Sequence, residues 1–339
     1  MKILVILPNW LGDAVMATPA IESLLAQEDV RFTFVGSYVS VEALKHHPKC
    51  HNAYVDDTKK SGNRFINTYR FAQKLQGHDR AISFRDQLHA SLLLKWSHTP
   101  ITVARKSWHA TLFLTQSVAM SRQQHLVLQY QNLANTLFKH DAIAGHLKLH
   151  IPKITYERPT LGINPGATYG SAKRWYPEKF AEVAAHFSDR YDIVIFGGPS
   201  ETEMAEEIEV ALRALHPKST SSSLTAHVKS VTNLAGQTSI EALCSHIGGL
   251  DFFITNDSGP MHVAAAYQVP TVAIFGPTRH LETSQWQNSH SEIVRHEMEC
   301  APCMKRECPL KHHECMKSIT SEEVIDASHR ILKKYKYKL

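Results

Sequence analysis

Short apolar runs alternate along this chain with longer stretches whose apolar residues recur every three or four positions. The runs predict buried strands at 2–7, 31–36, 52–55, 80–84 and 100–104. The helical period predicts helices at 14–26, 41–45, 65–75, 88–96 and 125–140. In the first of these, Val15, Ala17, Ile21, Leu24 and Leu25 form the apolar stripe, and Pro19 predicts a late start or a kink. Residues 151–159 carry Pro152 and Pro159 with no clear period, and predict a linker.

A second alternating series follows. Strands are predicted at 160–164, 192–196, 231–234, 250–254 and 271–275, with helices at 177–187, 201–215, 239–246 and from Pro260 onward. Thr320 and Glu323 form a capping-box pattern ahead of a last helix at 324–335. Strands that alternate with helices predict an α/β fold with parallel sheets covered on both faces. The expectation is two doubly wound halves in tandem, without a sequence repeat. The first spans 1–150, the linker 151–159, the second 160–319, and 320–339 a C-terminal helix with a basic tail. Ligands of such sheets bind at the carboxyl ends of the strands, and two halves place the expected site in the cleft between them.

Composition changes this picture little. At 339 residues, with 43% hydrophobic and 20% charged, the chain reads as an ordinary globular protein of two domains. No apolar run approaches the roughly 18–20 residues that cross a bilayer. The apolar start is too short for a signal peptide, so a cytoplasmic protein is expected. The net charge of +5 fits an anionic partner: a nucleotide, a phosphorylated glycolipid or a membrane surface. No basic tract with interleaved aromatics occurs, so nucleic-acid binding is not expected. The C-terminal run from Lys333 to Lys338 suits a helix end in solvent or a lipid phosphate.

Three strand-to-helix loops carry candidate chemistry. In Thr255-Asn256-Asp257-Ser258-Gly259-Pro260-Met261-His262, a strand turns into a helix. Such a turn gathers free amides and a positive dipole end, Gly259 admits a phosphate closely, and Pro260 fits the first helical turn. An ordinary capped turn without a ligand has the same pattern. Asn164-Pro165-Gly166 with Thr168, Ser171, Lys173, Arg174 and Trp175 forms a plausible diphosphate cradle, but not a Walker A loop. A polar loop with a solvated basic pair reads equally well. Asp13, beside Gly12 and after Trp10, can cap a helix or act as a general base. The glycines do not follow the dinucleotide fingerprint, which disfavours an NAD-dependent dehydrogenase. Cys300, Cys303, Cys308 and Cys315, with His312 and His313 inside the last gap, point to structural zinc, to reduced thiols that shape a loop, or to a redox-sensitive pair.

Together, Asn9-Trp10-Leu11-Gly12-Asp13, the Asn164–Trp175 loop and the Thr255–His262 stretch resemble the bacterial ADP-heptose:lipopolysaccharide heptosyltransferases, glycosyltransferase family 9. The resemblance covers nearly the whole chain and continues through Phe275-Gly276-Pro277-Thr278. The Pro8–Asp13 start and the cysteine cluster look most like the members that add the second inner-core heptose. The resemblance implies a GT-B fold, two Rossmann-like domains facing a central cleft, and an inverting transfer that needs no metal for catalysis. It implies ADP-heptose in the carboxy-terminal half and a heptosyl-Kdo-lipid A acceptor in the amino-terminal half, with a peripheral place at the inner membrane. By carry-over Asp13 is the base and Lys173 meets the donor phosphates. Asp257 contacts the donor sugar, Ser258, Gly259 and His262 complete the diphosphate end, and Thr238 lines the adenine pocket. Thr168 and Ser171 are hydroxyl donors near the diphosphate. Asn9, Trp10, Arg85, Arg105 and Lys106 are candidates for the acceptor side. The alternatives are addition of the first heptose to Kdo-lipid A, another nucleotide-sugar transfer, and a zinc-dependent binding module.

Overall fold

The computed structural model describes residues 1–26, 29–60, 62–121, 123–215 and 230–336, without the side chains of 335 and 336. The predicted basic tail therefore lies partly outside the described residues. The chain divides into two compact units, 1–151 with 281–286, and 152–280 with 287–339. The expected fold class holds, since each unit is a doubly wound α/β domain with a six-stranded parallel sheet.

In the first unit the chain runs β1 (Lys2–Ile6), α1 (Leu11–Met16), α2 (Thr18–Ser23), β2 (Arg31–Gly36), α3 (Tyr38–Leu44) and β3 (Cys50–Val55). It continues through α4 (Arg64–Gln73), β4 (Arg80–Ser83), α5 (Leu88–Trp96), β5 (Ile101–Arg105), α6 (Trp108–Phe113), β6 (Gln116–Val118) and α7 (Leu126–Phe138). The strand order is β3-β2-β1-β4-β5-β6. β1 is buried from Ile3 to Ile6 because it is flanked on both edges and covered on both faces. The helix predicted at 14–26 is split at Ala17, and Pro19 takes an early position of α2, where its missing N–H leaves no bond unmade. The first piece starts earlier than its apolar period predicts, at Leu11, which brings Asp13 into its first turn. α6 and β6 escape sequence reading because each is only a few residues long.

Segment 148–151 closes this unit. Lys148 N–H donates to Thr18 Oγ1 at 3.0 Å, and Glu22 receives Lys148 Nζ at 3.2 Å and His150 Nε2 at 2.7 Å. His47 Nε2 lies 3.4 Å from the same carboxylate. Burial works against the Glu22 charge, but contacts from His47, His150 and Lys148 outweigh it and hold the carboxyl at about 2. Glu22, His47 and His150 place one ligand-type atom each within 4.8 Å of the others. Lys49 N–H donates to His47 Nδ1 at 3.1 Å, so in a neutral ring the proton sits on Nε2, facing Glu22. That nitrogen then offers no lone pair to a metal, and Glu22 is anchored by its hydrogen bonds from Lys148 and His150 with His47 packed beside it.

The second unit runs β7 (Thr160–Asn164), α8 (Pro177–Phe187), β8 (Asp192–Ile195), α9 (Thr202–Leu215), β9 (Val231–Asn233) and α10 (Ile240–Gly248). Then come β10 (Phe252–Asn256), α11 (Gly259–Ala266), β11 (Thr271–Ile274), α12 (His280–Thr283), β12 (Ser291–Val294), α13 (Glu314–Lys317) and α14 (Ser321–Lys336). Its order is β12-β11-β10-β7-β8-β9. β10 ends two residues later than the apolar run predicts. Asn256 is in register with Ile274 of β11, and its polar side chain is satisfied within the fold. The capping box is present: Thr320 N–H donates to Glu323 Oε2 at 2.8 Å, and Glu323 N–H to Thr320 Oγ1 at 3.2 Å. α14 buries Val324, Ala327 and Ile331 in the core of this unit. Residues 281–286 join the first unit instead, where Trp286 Nε1 donates to Gly145 O at 2.9 Å. Among the described residues no helix is long and apolar enough to cross a membrane.

Candidate active site

Both sheets reverse their winding beside their first strand, between β1 and β4 and between β7 and β10. At such switch points the loops diverge to opposite faces and leave a crevice beyond the carboxyl ends of the strands. The predicted site residues gather at these ends.

In the second unit the loop after β10 holds Asp257 and Ser258, and α11 starts at Gly259 with Pro260 in its first turn. Ser258 does not cap this helix with its side chain. Its hydroxyl instead accepts from Asn164 Nδ2 at 3.2 Å, which ties the loop after β7 to the loop after β10. Asn256, fully buried, braces the same junction through Pro165 O and Trp175 N–H. The amides that open α11 have no intrahelical acceptors, and the dipole there is positive.

Lys173 Nζ lies 2.6 Å from Asp257 Oδ2, and Thr278 Oγ1 donates to that oxygen at 2.6 Å. Asp257 is 3% exposed, so its charge is compensated inside the protein rather than by water. The carboxylate fixes a cation beside a helix start, an arrangement that suits an anion. Lys173 also lies over the Tyr169 ring, 4.9 Å from its centroid. His262 is buried on α11, whereas Thr168 and Ser171 are exposed on the lysine loop. Thr238 is half-buried between β9 and α10, where Ser239 caps α10. Two residues escape sequence reading as site members. Thr278 is visible there only as part of a motif. Glu201 follows β8, and its Oε2 accepts from Gly198 N–H at 2.7 Å. Its Oε1 is buried without a hydrogen-bond partner among the described residues. A Cβ on Gly166 would lie 2.1 Å from the Glu201 carboxylate, so only glycine lets the two loops approach this closely. The sequence signal is an acid three residues beyond the Gly197-Gly198 pair that follows β8.

The cysteine segment braces the lysine loop. Arg306 O accepts from Ala172 N–H at 3.0 Å, Tyr169 Oη donates to Met304 O at 2.7 Å, and His313 Nε2 meets Ala172 O at 2.9 Å. Cys300, Cys303, Cys308 and Cys315 line one pocket with Ala172 and Pro277. Burial, then the neighbouring thiols, push the Cys315 thiol up to about 11. His313 N–H donates to Cys308 Sγ at 3.4 Å, and amide donation lowers that thiol. The donor chemistry suits zinc. Among the described residues, however, the compact set of three ligand-type atoms is that around Glu22, not the cysteines.

In the first unit, Asp13 is half-buried in the first turn of α1, where the dipole favours a carboxylate. Burial first, then the Asp13 and Asp86 carboxylates, push the Tyr130 hydroxyl well above its ordinary value, with Arg105 opposing. These four groups therefore share one electrostatic neighbourhood. The loop before α1 is pinned: Ser37 Oγ donates to Asn9 O at 2.8 Å, Ser40 Oγ to Pro8 O, and Arg85 Nε to Leu7 O at 2.6 Å. Trp10 projects from it, 47% exposed. Arg85 is buried, and its Nη1 lies 3.2 Å from Asp56 Oδ2. Burial raises Asp56, but His89, Thr58 and Arg85 hold it well below the usual carboxylate range. Arg85 is thus mainly a strut of the Asp13 loop, with Nη2 buried and without a hydrogen-bond partner among the described residues. Arg105 pairs with Asp86 at 3.6 Å, and Lys106 is exposed.

Comparison with known proteins gives the family. The family model for glycosyltransferase family 9 (heptosyltransferase) matches residues 68–314. A lipooligosaccharide heptosyltransferase 2 of Campylobacter jejuni is 38% identical, over 98% of this chain and 99% of that protein. One from Haemophilus influenzae is 24% identical, over 98% of this chain and 100% of that protein. The structure of Escherichia coli ADP-heptose lps heptosyltransferase II superposes with a TM-score of 0.81 at 23% identity, covering 99% of this chain and 100% of that one, a likeness of fold. The chain is a glycosyltransferase and belongs to glycosyltransferase family 9, the heptosyltransferases.

Proposed function

We propose that this enzyme moves heptose from ADP-heptose onto the first heptose of the lipopolysaccharide inner core, with inversion at the anomeric carbon. The observation that carries the reading is the near-full-length likeness to a lipooligosaccharide heptosyltransferase 2. The groups within each unit suit it. Asp13 takes the proton from the acceptor hydroxyl as the new C–O bond forms, and the bond from the anomeric carbon to the ADP oxygen breaks. Lys173 and the opening amides of α11 take up the charge that grows on the departing diphosphate. Asp257 and Thr278 hold Lys173 in place, and Asp257 borders the donor sugar. Ser258, Gly259 and His262 shape the diphosphate end, Thr168 and Ser171 offer hydroxyls beside it, and Thr238 borders the adenine. The buried Glu201 Oε1 is an acceptor suited to a donor hydroxyl. Arg105 and Lys106 suit an anionic acceptor, with Asn9 and Trp10 beside it, while Arg85 holds the loop from within. The enzyme would work at the cytoplasmic face of the inner membrane.

ADP release measured with two acceptors tests this. Turnover is expected with the acceptor that already bears one heptose, and not with bare Kdo-lipid A. The opposite preference would reassign the enzyme to addition of the first heptose.

A structural zinc ion held by the four cysteines is proposed with it, as a brace of the Lys173 loop with no part in the reaction. Elemental analysis should find equimolar zinc, and its removal by a chelator should weaken ADP binding through the contacts at Ala172. Protein that binds ADP fully and carries no zinc would remove the ion and leave the thiols as packing groups.

A further inference from the structure

The proposed acceptor is lipid-anchored, and no helix among the described residues can cross a membrane. An enzyme of this kind meets its acceptor at a surface. We infer that the exposed face of α4 docks on an anionic lipid bilayer. The inference rests on the lipid-anchored acceptor proposed above.

The face is apolar where solvent should favour polar side chains. Phe65 is 61% exposed, and Ile66 and Tyr69 are each 47% exposed. Phe65 and Tyr69 stand one turn apart and so share a face, with Ile66 at its edge. Both rings meet Trp96 of α5 edge-on, with centroids at 4.8 and 5.6 Å. They form an ordered aromatic patch rather than scattered surface residues, and a contiguous patch marks an interaction site. Aromatic rings with one apolar and one wet end settle at the headgroup level of a bilayer.

The charge around the patch selects the partner. Between residues 59 and 74 the chain carries Lys59, Lys60, Arg64, Arg70 and Lys74 and no Asp or Glu. All five are exposed, and Lys60 shares its charge with the exposed Asp57 at 2.8 Å. An amphipathic helix with aromatic residues and a basic flank matches the boundary of an anionic leaflet. A second copy of this chain would bring the same cations against themselves, which opposes a symmetric pairing through this face.

Flotation with vesicles tests the inference. The wild-type protein should float with phosphatidylethanolamine–phosphatidylglycerol vesicles and not with phosphatidylcholine alone. Phe65→Ser with Tyr69→Ser, and separately Arg64→Glu with Arg70→Glu, should each lower partition by roughly tenfold or more. Both double variants should stay folded, the aromatic one melting somewhat lower as its Trp96 contacts are lost, keep wild-type turnover of a deacylated acceptor in solution, and lose turnover of acceptor embedded in vesicles. Vesicle binding without any turnover would uphold the surface and refute the proposed reaction. Variants that float like the wild type, or a wild type indifferent to lipid charge, would overturn the inference. So would a wild-type dimer that the substitutions dissociate, with no vesicle binding.

Discussion

Replacing Asp13 with asparagine should lower kcat by on the order of 10²–10⁴-fold while leaving ADP affinity unchanged. Asparagine keeps the shape of the side chain but cannot take a proton from the acceptor hydroxyl. The fold should survive. Asp13 sits in the first turn of α1, and asparagine keeps its size there while giving up a dipole contribution of about 0.3–1 kcal/mol. The loop that aims it is held independently by Ser37, Ser40 and Arg85. Steady-state kinetics with calorimetric ADP titration reads both effects. Asp86→Asn serves as the comparison, since Asp86 shares the neighbourhood of Tyr130 but pairs with Arg105. A smaller loss for Asp13 than for Asp86 would move the base to another group.

Lys173→Ala should act differently, because its partner is buried. ADP binding should weaken, and kcat/KM should fall by about 10²–10³-fold as the charge on the leaving diphosphate loses its counter-ion. Stability should fall as well, by about 3 kcal/mol, since Asp257 is left charged at 3% exposure with Thr278 as its remaining partner. Removing both charges, as Lys173→Met with Asp257→Asn, should return much of the stability and none of the turnover. Denaturant melts of the single and double variants, set beside their kinetics, separate the two roles. If Lys173→Ala melts like the wild type, Asp257 does not depend on the lysine for its burial.

The sequence itself determined the alternation of apolar runs and helical periods, and hence two α/β halves. Pro19 told where the first helix breaks, because a missing N–H and a fixed φ act locally. The loops around Asp13, Lys173 and Asp257 were legible for a related reason: a strand that turns into a helix within a few residues leaves a readable pattern of glycine, proline and small polar residues. Short elements such as β6 and α6 carried too few residues to show a period.

Tertiary structure decided the rest, through contacts that join residues far apart in the chain. It paired Lys173 with Asp257 and Thr278, and pressed Gly166 against Glu201. It set the cysteine segment behind the lysine loop as a brace, and made Arg85 a buried strut rather than a surface cation. It also gave residues 281–286 to the first unit. Local pattern fixes which backbone shapes are favourable, residue by residue. Which side chain compensates a buried charge depends on strand order, and strand order is settled only when whole sheets close around their cores.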